Sequence, residues 1–151
     1  MERFAEHVAR LGKRYNDALI AVERNNHGHA VLYALRHRHG YKKLYRYAPG
    51  DGDLSLGWPT NAQTKPQLVA ELRAMLADAP SVFQSRRLLE EMRAYAYDAS
   101  GGMAAPEGLH DDLLMAMGIA LVVRGQARWV TTGLLPMERR FVQREEKRCS
   151  I

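Results

Sequence analysis

An α/β fold is predicted for this chain of 151 residues by three features of the sequence. A short apolar run, Asp17-Ala-Leu-Ile-Ala-Val-Glu23, is bounded by acids at both ends. Amphipathic segments flank it on either side. A longer apolar stretch, 113–123, follows a glycine-containing turn. The first run is too short for a buried helix and lacks polar alternation, so it reads as a strand covered on both faces, as in parallel sheets. The architecture expected is a central buried strand flanked by helices, with a β-hairpin before the last core helix.

The elements follow in order. Phe4, Val8, Leu11 and Tyr15 recur at helical spacing and predict a helix over 2–14. Asn25-Asn26-His27-Gly28 breaks the strand, and Ala30, Val31, Ala34 and Leu35 form the apolar stripe of the next helix, which ends at His37-Arg38-His39-Gly40. Leu44 among aromatic and basic residues predicts a strand over 41–47, and Pro49 to Asp53 a loop. Thr64 is placed to cap a helix with Pro66 in its first turn and Leu68, Val69, Leu72 and Leu76 on its face, ending at Asp78. A short helix is expected over 85–91 and a strand over 92–97. Ala99-Ser-Gly-Gly102 would then turn the chain into Met103-Ala-Ala105. The stretch 113–123 is apolar on every face, the mark of a central helix. Residues 126–151 carry little patterning.

Composition narrows the function classes. A hydrophobic content of 46% supports one packed core, and 26% charged residues argue against both a disordered tail and a membrane protein. No stretch approaches the roughly 18 apolar residues of a spanning helix, and the first residues form no signal peptide. The single Cys149 excludes an intrachain disulfide and a cysteine zinc site, so a reducing, cytoplasmic setting is expected. The net charge is +5, of which +4 lies from Arg124 onward. A domain over 1–123 and a basic tail over 124–151 are therefore expected. Such a tail suits nucleic acid or another polyanion, and it serves solubility equally well.

Two acidic positions are candidates for chemistry. Glu23 closes the apolar strand, at the end where open α/β sheets place ligands; the alternative is that it marks the strand's exit into solvent. Asp111-Asp112 opens the apolar helix, where carboxylates ordinarily cap free N–H groups. Two adjacent acids leading into an apolar run would repel unless a cation intervenes, and Mg²⁺ favours a few carboxylate oxygens with water. His27, His29, His37 and His39 lack the i, i+4 pair and third ligand of a zinc helix and read as surface residues. No phosphate-loop signature is present, and no Ser or Cys has the surroundings of a nucleophile. Lys65, at a helix start, is placed to meet a phosphate or to lie on an ordinary surface.

Four stretches resemble the nuclease domain of phage terminase large subunits, the motors that package viral DNA. Tyr15 to Gly28 is similar to the strand carrying that family's second acid. Gly57-Trp-Pro-Thr-Asn61 with Thr64-Lys-Pro66 is similar to its next loop and helix start. Glu90-Glu-Met-Arg-Ala-Tyr95 is similar to the segment before its hairpin. Gly108-Leu-His-Asp-Asp-Leu-Leu-Met-Ala116 is similar to its last acidic motif, the most specific of the four. The resemblance implies an RNase H-like fold and an endonuclease that cuts double-stranded DNA with two Mg²⁺ or Mn²⁺ ions. It matches Glu23 to the second acidic ligand and Asp112, with Asp111 beside it, to the third. Other terminase or portal components are the implied partners, and Lys65, Arg139, Arg140 and Arg144 the expected DNA contacts.

The chain departs from that family at its start. The family's first catalytic aspartate lies on a strand upstream of the first helix present here, and the ATPase domain is also absent. Asp17 would lie about 20 Å from Glu23 at roughly 3.3 Å per residue, too far to share an ion. Asp98, on the expected hairpin, has nothing in the sequence to support it. Weak or absent cleavage by the isolated chain is therefore expected, with a non-catalytic prophage remnant that binds DNA or serves assembly as the alternative. Ala18 to Val22 would lose its neighbour strand and become an exposed apolar edge prone to self-association.

Overall fold

The computed structural model describes residues 1–49, 52–97 and 103–127. Helices and short strands alternate along them: α1 Glu2–Arg14, α2 Gly28–Tyr33, β1 Arg46–Tyr47, β2 Ser55–Leu56, α3 Lys65–Asp78, α4 Arg86–Ala94, β3 Ala96–Tyr97, β4 Met103–Ala104 and α5 Asp112–Ala127. Helix α2 continues into a π-helical turn, Ala34–Arg38. The mixed helix and strand character matches the expected α/β class. Among the described residues, no helix is long and apolar enough to cross a membrane.

The extended segment 18–24 organises everything else. Ile20 N–H donates to the Lys43 carbonyl (2.9 Å) and the Ile20 carbonyl accepts from Tyr45 N–H (2.9 Å). Further along, the Val22 carbonyl accepts from Trp58 N–H (2.8 Å), and Arg24 N–H donates to the Trp58 carbonyl (2.9 Å). Both pairings are parallel, as the unalternating run predicted. They also use one edge alone, because the backbone groups of alternate residues point the same way. Among the described residues, Leu19, Ala21 and Glu23 on the other edge have no backbone partner. The segment is accordingly half-buried rather than fully covered.

Period-two alternation sends its side chains into two clusters. Leu19 and Ala21 pack on the larger one, built from residues that follow in the chain: Trp58, Leu68, Leu72, Phe83, Leu88, Leu114 and Ile119. Ile20 and Val22 pack on the smaller one, with Ala5, Ala9, Val31, Leu35 and Tyr41. Tyr41 donates its hydroxyl to the Ala18 carbonyl (2.6 Å), anchoring the segment's start; burial, then the nearby Asp17, raises its pKa.

Several elements differ from expectation for identifiable reasons. Helix α1 buries Ala5, Ala9 and Gly12 and leaves Phe4, Leu11 and Tyr15 exposed, because the small-residue face allows close approach to the π turn and Tyr41. Thr64 starts α3 without capping it through its side chain. The strand expected over 92–97 shrinks to Ala96–Tyr97, since α4 runs on to Ala94. The hairpin itself is present, with Ala96 opposite Ala104 and Tyr97 opposite Met103, while its turn lies outside the described residues. A second hairpin, β1 with β2, was not expected; Leu54-Ser-Leu56 after the Asp-Gly-Asp loop is the alternation that signals it. Helix α5 has an open side at Ala116 and Ala120 and continues across position 124.

Candidate functional site

Glu23 is held in place by both of its chain neighbours. The following turn packs so tightly that a Cβ on Gly28 would fall 1.7 Å from the Glu23 carbonyl oxygen, so only glycine fits there. On the preceding side, Trp58 takes up the backbone of Val22 and Arg24 while its ring is buried to 1% exposure. Asn25 Nδ2 then donates to the Thr60 carbonyl (2.8 Å), tying the segment's end to the 57–61 loop.

That loop is a self-bonded turn. Asn61 Oδ1 accepts from the N–H groups of Gln63 (2.9 Å) and Thr64 (3.0 Å). The buried Thr64 hydroxyl accepts from Asn61 N–H (3.0 Å) and donates back to the Pro59 carbonyl. Thr64 therefore locks the loop that delivers Lys65, a role its position before a helix did not reveal. The Lys65 ammonium lies 5.6 Å from the ring centre of Tyr95, whose hydroxyl donates to the Met103 carbonyl (3.0 Å). Burial raises the Tyr95 pKa; a hydrogen bond with Lys65 opposes that rise and the Asp111 charge adds to it.

The third wall is the start of α5. Glu91, reaching over from α4, accepts the N–H groups of Leu113 (2.8 Å) and Leu114 (2.9 Å). A carboxylate at a helix N-terminus also meets the positive end of its dipole. Glu91 thus performs the capping for which Asp111-Asp112 were the sequence candidates. Asp111 is half-buried, whereas the Asp112 side chain is 87% exposed and sits 3.9 Å from His110.

These three walls enclose one open cavity of about 290 Å³. Glu23, Thr60, Lys65, Asp111 and Asp112 line its polar side, and Ala21, Met115 and Ile119 its apolar side. Four expected site residues, Glu23, Lys65, Asp111 and Asp112, are therefore brought together. The Thr60 hydroxyl, missed in the sequence, is buried there with no hydrogen-bond partner among the described residues. Carboxylate oxygens are the ligand type that a hydrated hard cation takes, so Glu23, Asp111 and Asp112 are the residues that would hold one. The carboxylates do not close into a cage: among the described residues, no three His, Cys, Asp or Glu side chains are grouped tightly enough to hold a metal ion.

The remaining candidates fall elsewhere. Asp17, with a left-handed backbone (φ 52°), does not line the cavity. Asp98, Arg139, Arg140 and Arg144 lie outside the described residues. Of the four histidines read as surface residues, His29 and His37 line a second cavity on the opposite side of the segment. No family model and no curated protein matches this chain.

Proposed function

We propose that this chain is a metal-dependent DNA endonuclease module with an RNase H-like fold, related to the nuclease domain of phage terminase large subunits. One observation carries the reading. Glu23 and the Asp111-Asp112 pair, far apart in sequence and on different elements, line the same cavity. Convergence of acids from separate elements is what a phosphodiester-cleaving metal site requires. The parallel pairing of 18–24 with the segments around Leu44 and Trp58 also suits such a sheet.

Glu23 and the half-buried Asp111 would be the main oxygen ligands, with the exposed Asp112 completing the site through water. Mg²⁺ or Mn²⁺, when bound, would activate water and stabilise the leaving oxygen. Lys65 neutralises charge beside the acids, and its stacking on Tyr95 restricts where the ammonium goes. The buried Thr60 hydroxyl, unpartnered among the described residues, would be a donor to a phosphate oxygen.

The second reading is a DNA-binding or assembly module that does not cut. It is favoured by the carboxylates' failure to form a three-ligand group among the described residues. In either reading, the edge of Leu19, Ala21 and Glu23, unpaired among the described residues, invites strand addition by a partner or a second copy. Thermal unfolding with millimolar Mn²⁺, run beside nicking of supercoiled plasmid, tests the proposal. A Mn²⁺-dependent rise in Tm that disappears in Glu23→Gln and Asp111→Asn is expected, with weak nicking. Binding without any nicking would favour the second reading. No Mn²⁺ response in the wild type would overturn the metal site.

A further inference from the structure

The second cavity, of about 320 Å³, lies across segment 18–24 from the first and is lined by groups of the opposite charge. Arg24 and Ser55 form one side, and His29, Tyr33, Arg36 and His37 the other. The helical residues recur at i, i+4, i+7 and i+8, which puts them on one face of α2 and its π-helical extension. Tyr33 and His37 stack with ring centres 4.7 Å apart. Arg24 is aimed from the strand side by a hydrogen bond to the Ser55 hydroxyl. Gly57 (φ 81°) lets β2 close on this wall, since a Cβ there would meet Leu32 at 2.7 Å and the Arg24 Cβ at 3.0 Å.

Among the described residues, no carboxylate lines this cavity to compensate its charge. Arg38, two residues beyond Arg36, is paired with Glu2, whereas Arg36 makes no ion pair among the described residues. A pair of guanidiniums with imidazoles and a hydroxyl matches the oxygens of a phosphate, which guanidinium forks bind in bidentate fashion. Tyr33, 60% exposed, adds an aromatic face to the rim. The volume suits one nucleotide unit of a strand rather than a whole duplex.

We infer that this basic cavity is a phosphate-binding subsite for the nucleic-acid backbone, gripping the strand on the far side of segment 18–24 from the acidic cavity. The inference rests on DNA being the substrate, and it goes beyond the metal site in naming where the backbone is held. Arg36 is the residue whose loss is least confounded by folding, because it is exposed and bonds to no acid among the described residues.

The test is fluorescence anisotropy of a labelled 20-base-pair duplex against the full chain at several salt concentrations. Arg36→Ala should weaken binding about tenfold, the scale of a lost charged hydrogen bond. It should also make the log–log salt slope shallower by about 0.9, one phosphate contact. Arg36→Glu should weaken binding further, with unchanged circular dichroism. Competition by inorganic phosphate at equal phosphate concentration should be poor if a strand is the ligand; efficient competition would overturn the strand and leave a free-phosphate site. Wild-type affinity in Arg36→Glu, with loss confined to a variant in which Arg139, Arg140 and Arg144 are alanine, would overturn the subsite. The Mn²⁺ shift in Tm, measured on Arg36→Ala, should persist; its absence from the wild type as well would be a failure of the metal reading alone.

Discussion

The acidic and basic cavities are built on the two sides of one extended segment, from adjacent residues, yet by different means. Glu23 belongs to the side packed against the larger core, where a self-bonded loop, a buried Trp58 and a helix capped from outside fix each wall. Arg24 belongs to the side of the smaller core, where one helical face and one hairpin strand suffice. The acidic site depends on the convergence of three separate walls; in the basic site, local helical spacing places His29, Tyr33, Arg36 and His37, and Arg24 with Ser55 closes the other side. Modest shifts between elements would therefore disperse the first, while the helical half of the second would persist.

The largest expected effect tests whether the acidic side depends on its core. Trp58→Ala should cost about 3–5 kcal/mol in urea unfolding and abolish the Mn²⁺ response. Leu35→Ala, in the smaller cluster, should cost about 2–5 kcal/mol and disturb DNA affinity first. Equal loss of both responses in both variants would make the two sides one cooperative unit and break the contrast.

Gly28→Ala sharpens it at a single atom. A methyl 1.7 Å from the Glu23 carbonyl oxygen forces the backbone to move, at a cost of about 3 kcal/mol by analogy with overpacked cores. Metal binding should fall with stability.

Glu91→Ala comes next. Leaving two α5 N–H groups without their acceptor should cost about 1–3 kcal/mol, while Asp111→Asn should stay within about 0.5 kcal/mol and still lose the Mn²⁺ response. A reversal, with Asp111 the costly position, would restore capping as its role.

The smallest effect concerns Tyr41. Its raised pKa means the folded state holds the phenolic proton more tightly than the unfolded chain. The associated stability is full below the ordinary value near 10 and is lost as pH rises through the raised folded value. Stability measured from pH 9 to 11 should fall more steeply in the wild type than in Tyr41→Phe.

Much of this was legible in the sequence where one physical rule dominated. The apolar run closed by Glu23 gave a parallel-paired segment, and Pro66 with its apolar face gave α3, because burial and backbone chemistry agreed there. Helix α1 was legible as a helix but not by face: large residues suggested one stripe, and close packing through Ala5, Ala9 and Gly12 selected the next. The acids were found, but not the division of labour among them. Nothing local announces that Glu91 crosses from another helix to cap α5. The basic cavity was missed because its histidines were weighed as zinc ligands. Their spacing with Tyr33 and Arg36 was the available signal.

The half-used edge of segment 18–24 has a consequence for assembly. Ala21 and Glu23 belong both to that edge and to the lining of the acidic cavity. Any strand docking there would form the rim of the acidic cavity. In an antiparallel twofold centred on Ala21, each Glu23 would face a Leu19 of the other copy, keeping the two carboxylates apart. Parallel stacking in register would instead set acid beside acid. Quaternary structure and chemical competence would then respond to the same event.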